Sequence, residues 1–239
     1  QAEKFSDTLS ASIETGYQLR FGTRDASGPT LDLEVQHESK RMITRLHTAF
    51  EYTEDADDFD RFMTGELSLI SNTSKTLRPT IFFEAERDRN RAIDYRFEAA
   101  VGLTSKLVYD VPYTLEGFAG VGGTIERFDP DHLRADLGAD NTIRASAQPQ
   151  RRDELNLDLR VRYSRDILRR TTITEQLILK PSLTQLGYMR TEIGSSILVP
   201  VSYNLKLHFD LLFDFDNDSR YSDIRTWNTA IGAGLRLDF

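Results

Sequence analysis

The chain has 239 residues, a net charge of −8 and 39% hydrophobic residues. A membrane helix needs about 20 consecutive apolar residues, and no stretch of this sequence approaches that length. The acidic balance argues against a nucleic-acid-binding surface, which should be basic, and the absence of cysteine excludes disulfides and thiolate metal sites. No signal peptide opens the chain, so we expect a mature exported product from which the leader has been removed.

The first half of the chain alternates apolar and polar residues, a pattern that indicates β-strands with two different faces. The first predicted strand runs from Leu9 to Phe21, with apolar side chains at most odd positions. Five further strands follow the same rule. Their apolar positions are Leu31, Leu33 and Val35; Leu46, Phe50 and Tyr52; Met63, Leu67 and Leu69; Ile81, Phe83 and Ala85; and Tyr95, Phe97, Val101 and Leu103.

The second half continues this alternation in six more strands, the last of them from Trp227 to Phe239, with Phe118 as an apolar exception on a polar face. The sequence therefore predicts about twelve strands, each of roughly 9 to 11 residues, the length that a tilted strand needs to cross a bilayer. The apolar positions of the other five are Tyr113, Leu115, Val121 and Ile125; Leu155, Leu157, Leu159, Val161 and Tyr163; Ile173, Leu177 and Leu179; Met189, Ile193, Ile197, Val199 and Val201; and Leu205, Leu207, Phe209, Leu211 and Phe213.

The final strand is the most informative segment, because its odd positions form one apolar face that ends in an aromatic residue. A terminal Phe of this kind resembles the C-terminal signal of bacterial outer-membrane β-barrel proteins. We expect the barrel-assembly machinery to recognise this signal during insertion. The residues of the predicted signal are Trp227, Leu235, Leu237 and Phe239.

Short and long connections also alternate along the chain. Short ones are predicted at 39–41, 110–112 and near Asn204, and long polar ones at 22–29, 53–60, 87–94, 129–152 and 215–223. An even strand number with both termini on the short-turn side is the topology of bacterial outer-membrane barrels. Aromatic residues near the strand ends predict an interfacial girdle. They are Tyr17, Phe21, Tyr52, Tyr95, Tyr163, Trp227 and Phe239.

The preferred fold is therefore an all-β, antiparallel transmembrane β-barrel of about twelve strands with an up-and-down meander, formed by residues 1–239 as a single domain. We expect it to lie in the bacterial outer membrane, in contact with lipid and lipopolysaccharide. The alternative is a soluble antiparallel barrel or sandwich whose apolar face points inward. That alternative would need a very large apolar filling, because a barrel of about eight strands is already filled by its side chains.

The polar faces carry charges at a density that hydrocarbon would not accept, since an Arg or Lys at the bilayer midplane costs about 2 to 4 kcal/mol. These side chains form either a packed network of ion pairs that plugs the barrel or the lining of a narrow pore. Acidic residues are in excess, so an open pore should favour cations. The predicted lumen-lining charged residues are Glu14, Arg20, Glu34, Arg45, Glu51, Glu66, Glu84, Arg96, Glu98, Glu116, Asp158, Arg160, Arg162, Glu192, Lys206 and Asp210, with Asp32 and Glu86 on the same faces.

Metal sites are predicted only as alternatives, and no cofactor is expected. Asp214, Asp216 and Asp218 occupy the first, third and fifth positions of a calcium loop. The sixth position lacks glycine and Arg225 stands where a bidentate Glu belongs, so a solvated hairpin tip is the competing interpretation. His47 or His208 with nearby lumen carboxylates is a further candidate, although neither shows ligand spacing.

The longest predicted loop, 129–152, supports a different class of function. Arg144, Arg151 and Arg152 cluster there, so a surface adhesion or partner-binding module built on the external loops is the alternative to a channel. We do not expect an enzyme. Thr191 and Ser195 are predicted to face outward among leucines and Phe209, with no histidine in reach, so no Ser-His-acid arrangement assembles. A lipid-modifying barrel enzyme is the remote alternative.

Two segments, from Tyr95 to Phe128 and from Asn204 to Phe239, resemble the salt-induced outer-membrane protein family, also called domain of unknown function 481. The features that carry the resemblance are the Gly-spaced segment 117–123, the Leu-rich strand followed by 214–218, and the closing segment 232–235. The resemblance spans nearly the whole chain. It implies an outer-membrane location and an association with salt response, and it brings no catalytic residues. The expected function is thus a structural or stress-responsive envelope protein or a narrow cation-preferring channel.

Overall fold

The twelve strands close into a single barrel in which each pairs antiparallel with its neighbours in sequence and β1 pairs with β12. The computed structural model describes residues 7–21, 26–55, 58–72, 74, 76–88, 93–110, 112–128, 151–167, 171–217 and 227–239. The predicted all-β meander is confirmed. The strands are β1 (Thr8–Phe21), β2 (Ala26–Glu38), β3 (Met42–Asp55), β4 (Asp58–Ser71), β5 (Leu77–Asp88), β6 (Ile93–Asp110), β7 (Tyr113–Phe128), β8 (Arg151–Ile167), β9 (Thr171–Pro181), β10 (Met189–Pro200), β11 (Leu205–Asp216) and β12 (Trp227–Asp238).

The distribution of side chains is the reverse of that in a soluble barrel. On the outer face, Val101 and Phe97 are 62% and 53% exposed, whereas on the inner face of the same strand Arg96 is only 2% exposed. Glu126, on the inner face of β7, is fully buried. An apolar outer belt around a charged interior is the arrangement of a barrel that crosses a bilayer, and it excludes the soluble alternative with an apolar interior. Within the described residues, no helix is long and apolar enough to span a membrane.

The strands are longer than the sequence predicted. They run from 11 residues in β9 to 18 in β6, rather than roughly 9 to 11. Several loop boundaries were therefore wrong: Pro29 lies in β2, Thr53 in β3, and Arg151 and Arg152 in β8. The reason is that beyond the apolar belt both faces of a strand can be polar, so the alternation that marks a strand in the sequence fades before the hydrogen-bonded ladder ends.

We call the two ends of the barrel the turn end and the loop end. The turn end carries the short connections 39–41 and 201–204 and the last residue of β12, and the loop end carries the connection between β7 and β8.

The seam between β1 and β12 closes the barrel. At the turn end the N–H of Phe239 donates to the carbonyl of Ala11 at 2.8 Å, and the N–H of Ala11 donates back at 3.3 Å. Further along, Gly16 lies in register with Gly234, and a Cβ at Gly16 would lie 2.6 Å from the carbonyl oxygen of Ala233. The two strands can approach this closely only because glycine occupies the position. The four residues of the predicted insertion signal, all exposed, follow the outer face of β12.

Candidate functional site: the charged lumen

The inner face of the barrel carries the charged residues singled out in the sequence. The structure places all sixteen predicted lumen residues at inner-face positions of the strand registers, together with Asp32 and Glu86. They do not form one uniform lining. Two regions differ in how the charges are held.

The first region is a network of ion pairs, which we call the cross-lumen network. Seven consecutive strands, β5 to β11, contribute to it. Its cations and acids lie within 4.0 Å of one another in a chain of contacts. Its members are Arg96, Arg152, Lys180 and Arg190 with Glu84, Glu86, Glu98, Glu126, Glu154, Asp214 and Asp216, and the phenol of Tyr188.

Arg96 is the centre of this network. Its Nη1 lies 2.7 Å from a carboxylate oxygen of Glu86, and its Nη2 forms an ion pair with Glu126. Glu98 and Asp216 lie 4.0 and 3.9 Å from the same guanidinium. A fully desolvated guanidinium needs opposite charges and hydrogen bonds on several sides, and these acids provide them.

Many of these contacts join strands that are not neighbours in the sheet and therefore cross the interior. Glu98 on β6 lies 2.9 Å from Arg190 on β10. Glu84 on β5 lies 3.2 Å from Lys180 on β9. Because the bridged strands are four apart in the barrel, the network spans the lumen between β5 and β11, and Glu84, Glu86, Arg190 and Asp214 also face the cavity beside it.

A tyrosine from the connection between β9 and β10 completes the network at the loop end. The hydroxyl of Tyr188 donates to Asp216 at 2.9 Å and accepts a hydrogen bond of 2.6 Å from Arg152. Burial, followed by the nearby negative charge of Asp216, raises the pKa of Tyr188 well above its ordinary value, so the phenol stays protonated and remains a donor. Gly187, immediately before it, has a φ of 89°, a left-handed conformation that favours glycine.

These contacts bear on two predictions made for the loops. Arg152 is a buried member of the network, so the prediction that it belongs to an external binding loop was wrong; Arg151 lies in the same strand and pairs with Asp153 at 2.9 Å. Asp214 and Asp216 of the predicted calcium loop end β11 on its inner face, where arginines contact both carboxylates. Asp218, Arg144 and Arg225 lie outside the described residues.

An aromatic pair from β5 and β7 packs in the same half of the lumen as the network. The rings of Phe82 and Phe118 meet edge to face with centroids 4.7 Å apart, and the guanidinium of Arg160 lies 4.2 Å from the centroid of Phe82. Arg160 also lies 3.0 Å from Asp158 and 3.3 Å from Glu66 on β4. The apolar exception at Phe118 thus has a structural reason: it is part of the packed half of the lumen.

The second region, which we call the open wall, is the inner face of β11, β12, β1 and β2. It borders a cavity of about 550 Å³, which inner-face residues of β3 to β10 also line, among them Glu84 and Arg190 of the network. Two of its ion pairs keep contact with solvent: Arg236 lies 2.8 Å from Glu34, with side chains 25% and 36% exposed, and Lys206 lies 2.6 Å from Asp238. In a third, Arg20 lies 2.6 Å from the buried carboxylate of Glu51 on β3. Of the described residues, eleven Asp or Glu and six Arg line the cavity, so its charge is negative.

Both lumen histidines belong to this cavity. Nδ1 of His208 is hydrogen-bonded to Glu14 across the inner face of β12, and Nε2 of His47 lies 3.5 Å from Asp32. Both histidines line the cavity, as do Glu14 and Asp210.

The predicted list of lumen charges left out Glu126 and Lys180, although the alternation puts both on the polar face of their strands, and the sequence analysis missed Arg152, Glu154, Tyr188 and Arg190 as lumen groups. The even spacing from Glu192 back to Arg190, and from Asp158 back to Arg152, could have placed those arginines on the inner face. No sequence signal marks Tyr188, because it lies in a connection whose path depends on the barrel.

Thr191 and Ser195, the two residues weighed above as enzyme nucleophiles, lie on the outer face of β10. The neighbours of Ser195 are Leu211 on one side and Glu175 on the other, to which its hydroxyl donates at 2.9 Å. The predicted leucine neighbours are present, but Phe209 lies in register with Ile197 instead, and β9 carries Glu175 at an outward position beside Ser195. Thr191 lies between Leu179 and Phe215. Among the described residues, the hydrogen bond of Ser195 goes to a carboxylate and not to a histidine.

Comparisons with known proteins agree on the fold. A family model described as "Protein of unknown function, DUF481" matches residues 13–238. The NanC porin superposes with a TM-score of 0.55 at 10% identity, over 94% of this chain and 98% of that one. A bacterial polysaccharide outer membrane secretin superposes with a TM-score of 0.50 at 5% identity, over 97% and 98%. No curated protein matches the sequence. At these identities the likeness shows the fold alone, a closed barrel similar to outer-membrane porins.

Proposed function

The chain belongs to the DUF481 family, and we propose that it is an outer-membrane channel whose narrow, cation-preferring pathway follows the open wall. The observation that carries the proposal is the cavity along this wall. Its lining on β1 extends from Ser12 to Arg20. At about 3.3 Å per residue this is about 26 Å along the strand and, at the usual strand tilt of about 35 to 45°, about 20 Å along the barrel axis, most of the apolar band of about 25 Å that such barrels present to lipid.

The cross-lumen network sets the width of this pathway. Because its side chains cross the interior between β5 and β11, they narrow the space left for water and ions in this twelve-stranded barrel to the cavity along the open wall. Such a pathway suits small ions better than large solutes. The two interpretations of the sequence, a plugged barrel and a pore, thus apply to different halves of one lumen.

Charge supports a preference for cations. Eleven carboxylates and six arginines among the described residues line the cavity, and rings of acidic side chains favour cations in other channels. A role in salt response, implied by the family resemblance, fits a pathway for small cations and is proposed with it.

Location and assembly form part of the same proposal. The apolar outer belt suits contact with outer-membrane lipid and lipopolysaccharide. The exposed outer face of β12, with Trp227, Leu235, Leu237 and Phe239, suits recognition by the barrel-assembly machinery.

The test is single-channel conductance in planar bilayers, with the reversal potential measured across a KCl gradient. We expect small steps and a cation-selective reversal potential. The double variant Asp32→Asn with Glu34→Gln should shift the reversal potential toward that of chloride, because it removes two lining charges and frees Arg236 from Glu34.

The matched control is Glu175→Gln, which removes one carboxylate from the outer wall and should leave selectivity unchanged. Absence of conductance steps at every voltage, or anion selectivity of the unmodified protein, would contradict the proposal.

A further inference from the structure

Three metal-ligating side chains meet on the open wall. Glu14 comes from β1, and His208 and Asp210 come from β11, where a spacing of two residues puts both on one face. One donor atom from each, a ring nitrogen and two carboxylate oxygens, lies within 4.8 Å of the other two. The three are the one such group of three or more among the described residues.

The strand between them is shaped to hold these carboxylates. Gly232 lies in register with Asp210, and Gly234 lies in register with His208. A Cβ at Gly232 would overlap the carboxylate of Asp210, and a Cβ at Gly234 would lie 3.1 Å from Oε1 of Glu14. The inner face of β12 therefore has no side chain at Gly232 or Gly234, and the carboxylates of Asp210 and Glu14 occupy that space. We call this surface the floor of the site.

The surroundings leave the acids able to bind a cation. The nearest cation in register with Glu14 is Arg236, whose guanidinium contacts Glu34 at 2.8 Å and Asp238 at 3.0 Å. Asp32, in register with Glu14 on its other side, adds further negative charge. The amide of Gln18 lies 3.5 Å from Asp210 and can orient that carboxylate.

We propose that Glu14, His208 and Asp210 form a binding site for a divalent first-row transition ion such as Zn²⁺. One imidazole and two carboxylates form a donor set that such ions accept, and a ligand position facing the cavity is left for water. A tetrahedral Zn²⁺ holds its donor atoms about 3.4 Å apart, so small side-chain rotations bring the three donors to bonding distance.

The site does not depend on conduction, and binding is measured without current. The purified barrel, stripped with a chelator in detergent, is titrated with Zn²⁺ by calorimetry. One equivalent should bind. Loss of an outer-shell partner costs a metal site about 10- to 100-fold in affinity, so His208→Ala, Glu14→Gln and Asp210→Asn should each weaken binding by at least about 100-fold.

Two further variants make the test specific. Gly232→Ala keeps every ligand but fills the floor beneath Asp210, and it should weaken binding by at least about 10-fold. His37→Ala removes an exposed histidine on the outer face of β2 and should leave binding unchanged. Heat-modifiable gel migration verifies that each variant is folded.

A second readout identifies the ligand atom. With Cu²⁺ as the probe, the electron paramagnetic resonance spectrum should show coupling to one imidazole nitrogen that disappears in His208→Ala and persists in His37→Ala. Equal Zn²⁺ affinity of the unmodified protein and a folded His208→Ala variant would overturn the proposal, as would loss of binding in His37→Ala. A protein that binds Zn²⁺ but never conducts would refute only the proposed channel.

Discussion

The two halves of the lumen use the same chemical groups in opposite ways. In the cross-lumen network, Arg96 and Glu126 are 2% and 0% exposed and their charges contact one another. On the open wall, Glu34 and Arg236 form an ion pair of 2.8 Å that keeps a quarter to a third of its side-chain surface exposed. The difference shows that the number of charged residues in a lumen does not decide whether the lumen is plugged or open. Long side chains that meet across the lumen, such as Glu98 with Arg190, mark one half, whereas the ion pair of Glu34 and Arg236 stays along the wall of the other.

The two kinds of ion pair should differ in their effect on stability. Breaking a buried pair costs about 3 to 5 kcal/mol because a charge is left desolvated. An exposed pair is worth about 0 to 1 kcal/mol, since water replaces the lost partner. This contrast allows the halves to be compared by mutation.

The largest effect is expected for Arg96→Ala. The variant should lower the free energy of unfolding by about 3 to 5 kcal/mol, because Glu86 and Glu126 stay buried with one cation fewer. The measurement is urea unfolding of the barrel in lipid vesicles, followed by the fluorescence of Trp227, the single tryptophan. Arg236→Ala on the open wall is the matched control and should cost about 1 kcal/mol or less. Equal losses of unfolding free energy in the two variants would mean that the two halves do not differ in how strongly their ion pairs stabilise the barrel.

An intermediate effect should separate the inner and outer faces of the open wall. Leu211 and Leu212 are adjacent in β11, but Leu211 is 46% exposed on the outside whereas Leu212 faces Ala230 and Gly194 on the inside. Leu211→Arg should cost about 2 to 4 kcal/mol in lipid. Leu212→Arg puts the same charge into the cavity near Asp210 and Asp214 and should insert normally. The readout is the fraction of heat-modifiable, protease-resistant barrel after insertion, and a reversed order would show that the faces are assigned wrongly.

The smallest effect concerns the loop end of the network. Tyr188→Phe removes the hydroxyl that links Arg152 to Asp216 and should cost about 1.5 to 3 kcal/mol, the range for a hydrogen bond to a charged group. Tyr203→Phe, at a 96% exposed position in the connection between β10 and β11, is the control and should be neutral. Urea unfolding measures both, and an equal change in the two variants would remove Tyr188 from the network.

The contrast also shows what the sequence could predict. The alternation of apolar and polar residues predicted that Glu98 and Glu84 face inward, because successive side chains of a strand point to opposite faces. This pattern continues along the part of each strand that carries the apolar belt. It could not show that Glu98 meets Arg190 across the lumen, since that contact depends on which strands face each other after closure. The meeting of Glu14 with His208 likewise requires β1 and β11 to lie on either side of β12. The position of a residue within its strand determines whether it faces inward or outward. Its partners across the lumen are determined only when the barrel closes.

The seam between the first and last strands has a consequence for biogenesis. The backbone of Ala11 forms its hydrogen bonds with Phe239 only when β12 has paired with β1. Until then the chain carries two unpaired strand edges and an apolar surface, which together are a template for aggregation. Closure of the seam between β1 and β12 therefore removes both edges at the same time.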